Sequence, residues 1–368
     1  MRYQYPFGEY VQSLVQEDRS PKKVFVLGVY ASAVHAKWKK GGTVVCQALA
    51  VASEPRIFWD GNPEEAKAII SRVHIPEELG TLEPAGSHLN GPSAKVLDDH
   101  ILAPLGFTRS DVWLCDCLPE TRLNPSQAKV IKEMYDPHIE QYKLNVVTIP
   151  KRPSAFCDDK RAEEIIDELM QSQAELFVLL GDIPIEQFLK RISDVPYSTL
   201  QEYVDKYGYG NASDVVIRGK NIKALPLAHP RQIGALGAHS ERWHKAHEEW
   251  ERKIMNKYIA YCGLDCESCE ARLATINDDD ALREKVARKW SELNGVEITA
   301  EMINCTGCRI EGVKTYFCDS LCPIRQCALS RAVESCGNCI EMNTCEKLKM
   351  VTGNNAEALD RLTKMSRE

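Results

Sequence analysis

LPLAHPRQ, residues 225–232, is the segment from which we interpret the fold. Residues 225–227 form an apolar run of the kind found in buried strands. Pro230 ends that strand, because proline fixes φ and has no N–H to donate to a β-ladder. The segment therefore predicts a strand that ends beside His229, and open α/β sheets bind their ligands at such strand ends. A His-Pro turn without a function is the alternative.

Similar strand-like runs recur along the first 250 residues. They lie at 24–28, 43–49, 56–59, 111–117, 145–150, 176–181 and 225–228. Helical patterns separate many of them, and alternation of strands with helices indicates a mostly parallel sheet between helices. We therefore predict a three-layer α/β/α domain with a mostly parallel four-stranded central sheet, followed by a small cysteine-rich, metal-binding α domain. The predicted divisions are 1–238, a connecting helix over 239–260, and 261–368.

The composition restricts the classes of partner. The 368 residues suffice for two domains with separate cores, and 27% of them are charged. There is no run of 18 apolar residues and no apolar segment of a signal peptide near residue 1, so we expect a cytoplasmic protein that does not bind membranes. A net charge of −7 argues against tight, sequence-blind binding of polyanions, although local basic patches can still contact DNA.

The order of these segments resembles the uracil-DNA glycosylase superfamily over roughly residues 20–250. The segments that carry the resemblance are Leu27-Gly28, Asn90-Gly91-Pro92-Ser93, residues 112–116, Leu179-Leu180-Gly181 and Ala228-His229-Pro230. The resemblance implies a four-stranded parallel sheet with a base-binding pocket at the strand ends. It also implies hydrolysis of the bond between a flipped base and deoxyribose.

The resemblance assigns roles to particular residues. His229 matches the histidine that stabilises the negative charge of the departing base, and Arg231 and Gln232 are expected to contact the phosphate backbone. The other residues expected at the substrate site are Gly28, Tyr30, Trp59 and Asn90. Further phosphate contacts are expected from Lys37, Lys39, Lys40, Arg218, Lys220 and Lys223. Trp59 or Phe58 can stack on a base, with packing in the core as the alternative use.

Two positions depart from the family pattern. Gly28-Val29-Tyr30-Ala31 lacks the acid or asparagine, and the proline, that position the attacking water in the family. Asp116 lies where many members have the asparagine that recognises uracil. An ionised carboxylate only accepts hydrogen bonds and repels uracil O4, so we expect a different base as the substrate. The alternatives for Asp116 are a water-activating base, as a second catalytic residue beside His229, or a residue that caps a turn.

Two functions therefore remain open for this domain. The first is a uracil-DNA glycosylase-like hydrolase acting on a damaged or modified base in DNA. The second is a non-catalytic module that binds nucleic acid or protein and has kept the fold.

Eleven of the fifteen cysteines lie between residues 262 and 345. They are Cys262, Cys266, Cys269, Cys305, Cys308, Cys318, Cys322, Cys327, Cys336, Cys339 and Cys345. Without an export signal, this density indicates metal thiolates rather than disulfides. Two CxxC pairs with flanking cysteines predict two or three structural zinc ions, and iron–sulfur clusters are the alternative. Spacing alone does not divide the eleven among sites.

The cysteine segments also resemble a cysteine-rich prokaryotic domain family of unknown function, over about residues 258–350. They are Tyr261-Cys262-Gly263-Leu264-Asp265-Cys266, Cys305-Thr306-Gly307-Cys308-Arg309, Cys322-Pro323-Ile324-Arg325 and Cys336-Gly337-Asn338-Cys339. This resemblance predicts a separate module and implies no activity.

Overall fold

The computed structural model describes residues 2–236 and 240–366 of the chain. The chain divides into two compact units, Met1–Glu251 and Arg252–Glu368. The boundary predicted at residues 238–239 lies outside the described residues.

The strands all belong to the first unit, within the described part of the chain. They are β1 Val24–Tyr30, β2 Ala33–Lys40, β3 Thr43–Ser53, β4 Thr81–Pro84, β5 Val112–Leu118, β6 Leu176–Leu180, β7 Ser213–Ile217 and β8 Lys220–Leu227. They form a five-stranded sheet of order β5-β1-β6-β8-β7 and a three-stranded antiparallel sheet of order β3-β2-β4.

The helices of the first unit alternate with the strands of the larger sheet. They are α1 Pro63–Ile70, α2 Pro92–Val96, α3 Pro125–Val130, α4 Ile139–Tyr142, α5 Asp159–Ser172, α6 Lys190–Ile192, α7 Leu200–Tyr207, α8 Pro230–Ile233 and α9 Glu241–Met255, which extends into the second unit. Wider turns at Leu97–Leu102, Ile131–Tyr135 and Pro184–Leu189 adjoin α2, α3 and α6.

The larger sheet confirms the predicted α/β class and its parallel character. Four strands, β5, β1, β6 and β8, pair in parallel, and β7 adds an antiparallel fifth strand that the sequence analysis did not predict. Phe25, Trp113 and Phe177 are fully buried on neighbouring strands, with the Phe25 ring 5.7 Å from that of Phe177. Aromatic packing of this kind contributes most of the stabilising free energy of such a core.

The register of the parallel strands aligns their carboxyl ends. Gly28 of β1 is paired with Asp116 of β5, and Leu180 of β6 with Leu227 of β8. Residues that follow these positions therefore lie at one edge of the sheet, where doubly wound folds bind ligands.

Two of the predicted strands are absent. Residues 56–59 form a turn in which Phe58 has a φ of +49°. Residues 145–150 are not part of a β-ladder. Both segments are apolar, but an apolar run becomes a strand only where a neighbouring backbone offers hydrogen bonds.

The second unit is helical, as predicted for the cysteine-rich domain. Its helices are α10 Glu270–Ile276, α11 Asp280–Asn294, α12 Pro323–Ser330, α13 Glu346–Thr352 and α14 Ala356–Ser366. One small core contains Cys262 and Cys308 beside Ile324, Leu348 and Leu362. A second packs α10 against α11 through Ala271 and Val286. No helix among the described residues has the length and apolar character needed to cross a membrane.

Candidate functional site

The carboxyl ends of β1 and β5 meet at Gly28. A Cβ atom at this glycine would lie 2.3 Å from Asp116 Oδ1 and 3.0 Å from the Phe58 ring, so any larger residue would displace both groups. Asp116 is 5% exposed. Gly28 thus leaves room for a carboxyl and an aromatic ring to approach each other over the end of β1.

Phe58 reaches this position because its backbone is in the left-handed region, which costs a non-glycine residue about 1 kcal/mol or more. Its ring is partly exposed, whereas the adjacent Trp59 is fully buried and donates its indole N–H to Glu65 Oε2 at 2.6 Å. Of the two aromatic residues considered from the sequence, Phe58 lies at the strand ends and Trp59 lies in the core.

His229 follows β8 and caps the short helix α8. Its Nδ1 accepts a hydrogen bond from the Arg231 backbone N–H at 3.2 Å, and its own backbone N–H donates to Gln232 Oε1 at 3.3 Å. Burial, together with the charges of Arg231 and Arg152, lowers the pKa of His229 to about 4. The imidazole is therefore neutral at physiological pH, and because Nδ1 accepts, Nε2 carries the proton.

Two side chains fix the backbone in front of His229. The Ala228 N–H donates to the Tyr209 hydroxyl at 3.2 Å, and that hydroxyl lies 2.7 Å from Nδ1 of His247 on α9. His247 is fully buried and its Nε2 lies 2.8 Å from the His100 carbonyl. A Cβ at Gly181, after β6, would lie 3.2 Å from His229 Cβ, so the histidine is also seated against the neighbouring strand.

An aromatic and cationic cluster lies at the end of β1. The Tyr30 ring stacks on Phe156, with centroids 5.8 Å apart and an interplanar angle of 25°. The Arg152 guanidinium lies 5.5 Å from the Tyr30 centroid and 5.3 Å from that of Phe156. The charges of Arg152 and Arg231 act on the pKa of both Tyr30 and His229, so these four side chains share one region.

Asp116 has a carboxyl neighbour that the sequence analysis missed. Glu54, directly after β3, is 7% exposed. Burial, together with the charge of Asp116, raises the pKa of Glu54 to about 8, against the lowering effect of hydrogen bonds from the Trp59 backbone and Ser32. Burial raises the pKa of Asp116 to about 7, opposed by the charge of Arg161. Because both carboxyls are buried and the charge of Asp116 acts on Glu54, the pair retains a proton near neutral pH.

Asn90 and Gln232 are engaged in local structure. The Asn90 amide accepts from the His35 N–H at 2.8 Å and donates to the His35 carbonyl at 3.0 Å, which ties its loop to β2. The backbone of Asn90 and Gly91 also packs tightly against Gly61. Gln232 stabilises the turn at His229, as described above. Both amides position the loops that surround the strand ends.

Of the basic residues predicted to contact phosphate, Arg231 lies at the site, whereas Lys220 and Lys223 lie far from it. Lys220 and Lys223 begin β8, whereas His229 follows its end, and at about 3.3 Å per residue this separates Lys220 from His229 by roughly 30 Å. Arg218 forms ion pairs with Glu163 and Asp167, and Lys39 pairs with Glu83. Arg152, which the sequence analysis did not single out, lies at the site instead.

The eleven cysteines of the second unit carry free thiols, and neighbouring thiols act on one another's pKa. Burial, together with the nearby thiols of Cys308, Cys269 and Cys305, raises the pKa of Cys266 to about 12. Backbone N–H groups face two sulfurs, with Gly307 N 3.3 Å from Cys305 Sγ and Arg325 N 3.5 Å from Cys322 Sγ. Such a donor set suits a thiophilic metal. Even so, the described residues contain no group of three or more His, Cys, Asp or Glu side chains arranged to hold a metal ion.

Comparison with known proteins covers the second unit. Residues 258–350 match the model of a family described as a protein of unknown function (DUF3795). No curated protein matches the chain. The match confirms the cysteine-rich module and does not extend to residues 20–250, where the resemblance to the uracil-DNA glycosylase superfamily stays a prediction.

Proposed function

We propose that the first unit binds a nucleobase at the ends of β1, β5 and β8 and hydrolyses the N-glycosidic bond of a damaged or modified base in DNA. The observation that carries the proposal is that Phe58, Asp116 and Glu54 lie together at the carboxyl edge of the sheet. His229 follows β8 at the same edge. In the strand order β5-β1-β6-β8, Asp116 and His229 are three strand spacings apart, or roughly 14 Å between backbones. A base with contacting side chains on both sides fits that span.

His229 has the electrostatics needed to stabilise a leaving base. A neutral imidazole with a proton on Nε2 donates a hydrogen bond to the negative charge that develops on the base as the bond to the sugar breaks. A cationic histidine would instead be costly to bury beside Arg152 and Arg231. Seating against Gly181 and the hydrogen bond from Ala228 to Tyr209 hold the donor in place before the substrate arrives.

The carboxyl pair of Glu54 and Asp116 supplies two functions that the segment Gly28-Val29-Tyr30-Ala31 lacks. The ionised member accepts a proton from the attacking water, and the protonated member donates a hydrogen bond to the base. Glu54 is hydrogen-bonded by Ser32, in the loop that follows β1, where the family carries its acid. A protonated Asp116 both donates and accepts, as an asparagine amide does, so a pair with its proton on Asp116 and with Glu54 ionised also accepts uracil as the base.

The surrounding groups suit the rest of a nucleotide. Phe58 offers a ring face to the base, and Arg152 and Arg231 are cations for the flanking phosphates. Both arginines are exposed, which allows a DNA strand to reach them.

The second candidate function is a non-catalytic module that binds nucleic acid or protein. It is favoured by the segment Gly28-Val29-Tyr30-Ala31, which carries no acid of its own. In this case the same residues recognise a base and no bond is cleaved.

For the second unit we propose structural metal, as two or three zinc ions or as iron–sulfur clusters. The free thiols and their mutual proximity support this proposal. Metal analysis of the full chain by mass spectrometry, together with a visible absorption spectrum, separates zinc from iron.

Single-stranded and mismatched oligonucleotides that carry uracil, hypoxanthine, xanthine and alkylated bases test the glycosylase proposal. We expect abasic sites, detected by alkaline cleavage, with at least one of these bases. We expect His229→Ala to lower the rate by about 10²–10³-fold, the usual effect of removing one donor to a developing anion. The matched control is His74→Ala, which removes an exposed histidine and should leave the rate unchanged.

The hydrolase would be rejected if the wild type cleaves none of the bases. The second function would then be favoured if the wild type still binds the oligonucleotides and Phe58→Ala does not. Cleavage that survives in His229→Ala would contradict the role given to this histidine.

A further inference from the structure

Four of the eleven cysteines surround one cavity in the second unit. Cys327, Cys336, Cys339 and Cys345 line a space of about 30 Å³ together with Ile324 and Leu348. The other seven cysteines do not line it, although Cys262 lies near enough to Cys336 for its thiol to raise the pKa of Cys336. The grouping is not visible in the spacing of the sequence, because Cys327 lies on α12 and the other three lie on the turns that follow.

The backbone holds three of these cysteines in a fixed arrangement. Cys339 N–H donates to the Cys336 carbonyl at 3.2 Å, and Met342 N–H donates to the Cys339 carbonyl at 3.0 Å. Cys345 directly precedes α13, and its carbonyl accepts from Leu348 N–H at 3.1 Å. These turns bring the last three thiols to one side of the cavity and leave α12 to supply the fourth.

The CxxC turn is also supported from behind. A Cβ at Gly337 would lie 2.5 Å from the Leu362 carbonyl of α14, so only glycine allows this close approach. Ser335 is fully buried, and its hydroxyl accepts from Gly337 N–H at 3.1 Å and bonds Asn338 Oδ1 at 2.8 Å. Metal sites depend on such outer contacts to orient their ligands.

The cavity combines an apolar wall with a positive charge. Ala328, Val333 and Met342 line it beside the thiols. The Arg331 guanidinium lies 3.7 Å from Cys339 Sγ and 2.9 Å from Glu341. A cation at this distance offsets the excess negative charge of several thiolates on one metal.

We propose that Cys327, Cys336, Cys339 and Cys345 form one closed four-thiolate centre for a thiophilic metal, distinct from the sites of the other seven cysteines. The proposal rests on the metal binding proposed above for this unit and goes beyond it by assigning a ligand set. The four thiols line a cavity and do not converge on a point, so metal binding requires their side chains to turn inward. Both one zinc ion and one four-iron cluster have four thiolate ligands.

The test measures zinc and iron per chain in purified full-length protein. We expect Cys339→Ser and Cys345→Ser each to lose one zinc, or four irons, and to keep the remaining metal. The double variant should lose the same amount and no more, because both residues serve one centre. Cys305→Ser should remove a different equivalent, so its loss adds to that of Cys339→Ser. Cys46→Ser, in the first unit, should lose none.

Differential alkylation of the wild-type chain makes the test independent of whether the variants fold. As a chelator removes metal, Cys327, Cys336, Cys339 and Cys345 should become reactive together, in step with the release of one equivalent. Three results would overturn this assignment and leave metal binding intact. They are an unchanged metal content in Cys339→Ser, additive metal losses in the double variant, and reactivity of the four cysteines at separate stages. A chain without zinc or iron would overturn both proposals.

Discussion

The two units of this chain build their cores by different means. The first packs aromatic and aliphatic side chains between a parallel sheet and its helices, with Phe25, Trp113 and Phe177 fully buried. The second has short helices around small clusters in which Cys262 and Cys308 take the place of larger apolar side chains. The clusters of the second unit bury few large apolar side chains, so apolar burial contributes less to its stability. We therefore expect the second unit to depend on bound metal and the first to be stable without it.

Metal removal tests this difference with the largest expected effect. A strong chelator should abolish amide protection across residues 252–366 and leave the strands of the first unit protected, as followed by hydrogen exchange with mass spectrometry. The physical reason is that structural zinc contributes about 10–16 kcal/mol of apparent folding free energy in small modules. Protection that persists in α11 and α12 after complete metal loss would break the comparison.

Phe177→Ala tests the opposite dependence. The Phe177 ring contacts those of Phe25 and Phe188, at centroid distances of 5.7 and 5.9 Å. Its removal should cost the first unit about 3–5 kcal/mol, measured by denaturant unfolding, because a cavity remains in a packed core. The metal content of the second unit should not change. Val216→Ala is the matched control, since Val216 is 59% exposed, and a similar loss there would contradict the explanation by packing.

Glu54→Gln tests the candidate site of the first unit through the pH dependence of stability. It has the smallest expected effect of these changes. Because the folded pKa of Glu54 is raised to about 8, from roughly 4.3 when unfolded, the folded chain retains a proton that the unfolded chain has lost. Stability of the wild type therefore falls as pH rises between about 4 and 8. The neutral variant avoids this loss, so its Tm should gain a few degrees on the wild type between pH 5 and pH 8.

Glu65→Gln is the control for this titration. Hydrogen bonds from Arg56 and Trp59 lower the pKa of Glu65, so its titration lies below pH 5. The difference in Tm between this variant and the wild type should stay constant from pH 5 to pH 8. A flat difference for Glu54→Gln as well would show that Glu54 titrates normally and that the carboxyl pair does not share a proton.

Prediction from sequence succeeded where the signal is local. Apolar runs at 24–28, 111–117, 176–181 and 225–228 correspond to the four parallel strands, and the cysteine spacing predicted the helical cysteine-rich module that the family match confirms. It failed at residues 56–59, where a turn replaces the predicted strand, and it gave no sign of β7 as a fifth strand. Backbone conformation at such positions depends on partners that are distant in the chain.

The candidate site divides in the same way. Histidine before proline, and glycine and aspartate at strand ends, can be recognised in the sequence because turn chemistry and strand termination are local properties. Glu54, Phe58 and Arg152 were missed or ranked low because no local pattern marks them. They are 62, 58 and 36 residues from Asp116 in the chain, so they reach the site only through folding.

The sequence by itself determined the strand-ending histidine, the alternation of strands and helices, and the presence of a thiol-rich module, since each follows from residue type and short-range spacing. Only the tertiary structure decided that Glu54 lies beside Asp116 and that four particular cysteines share one cavity. Both are contacts between separate segments. Such contacts shift pKa values and define ligand sets because buried groups interact strongly with whatever neighbours the fold gives them.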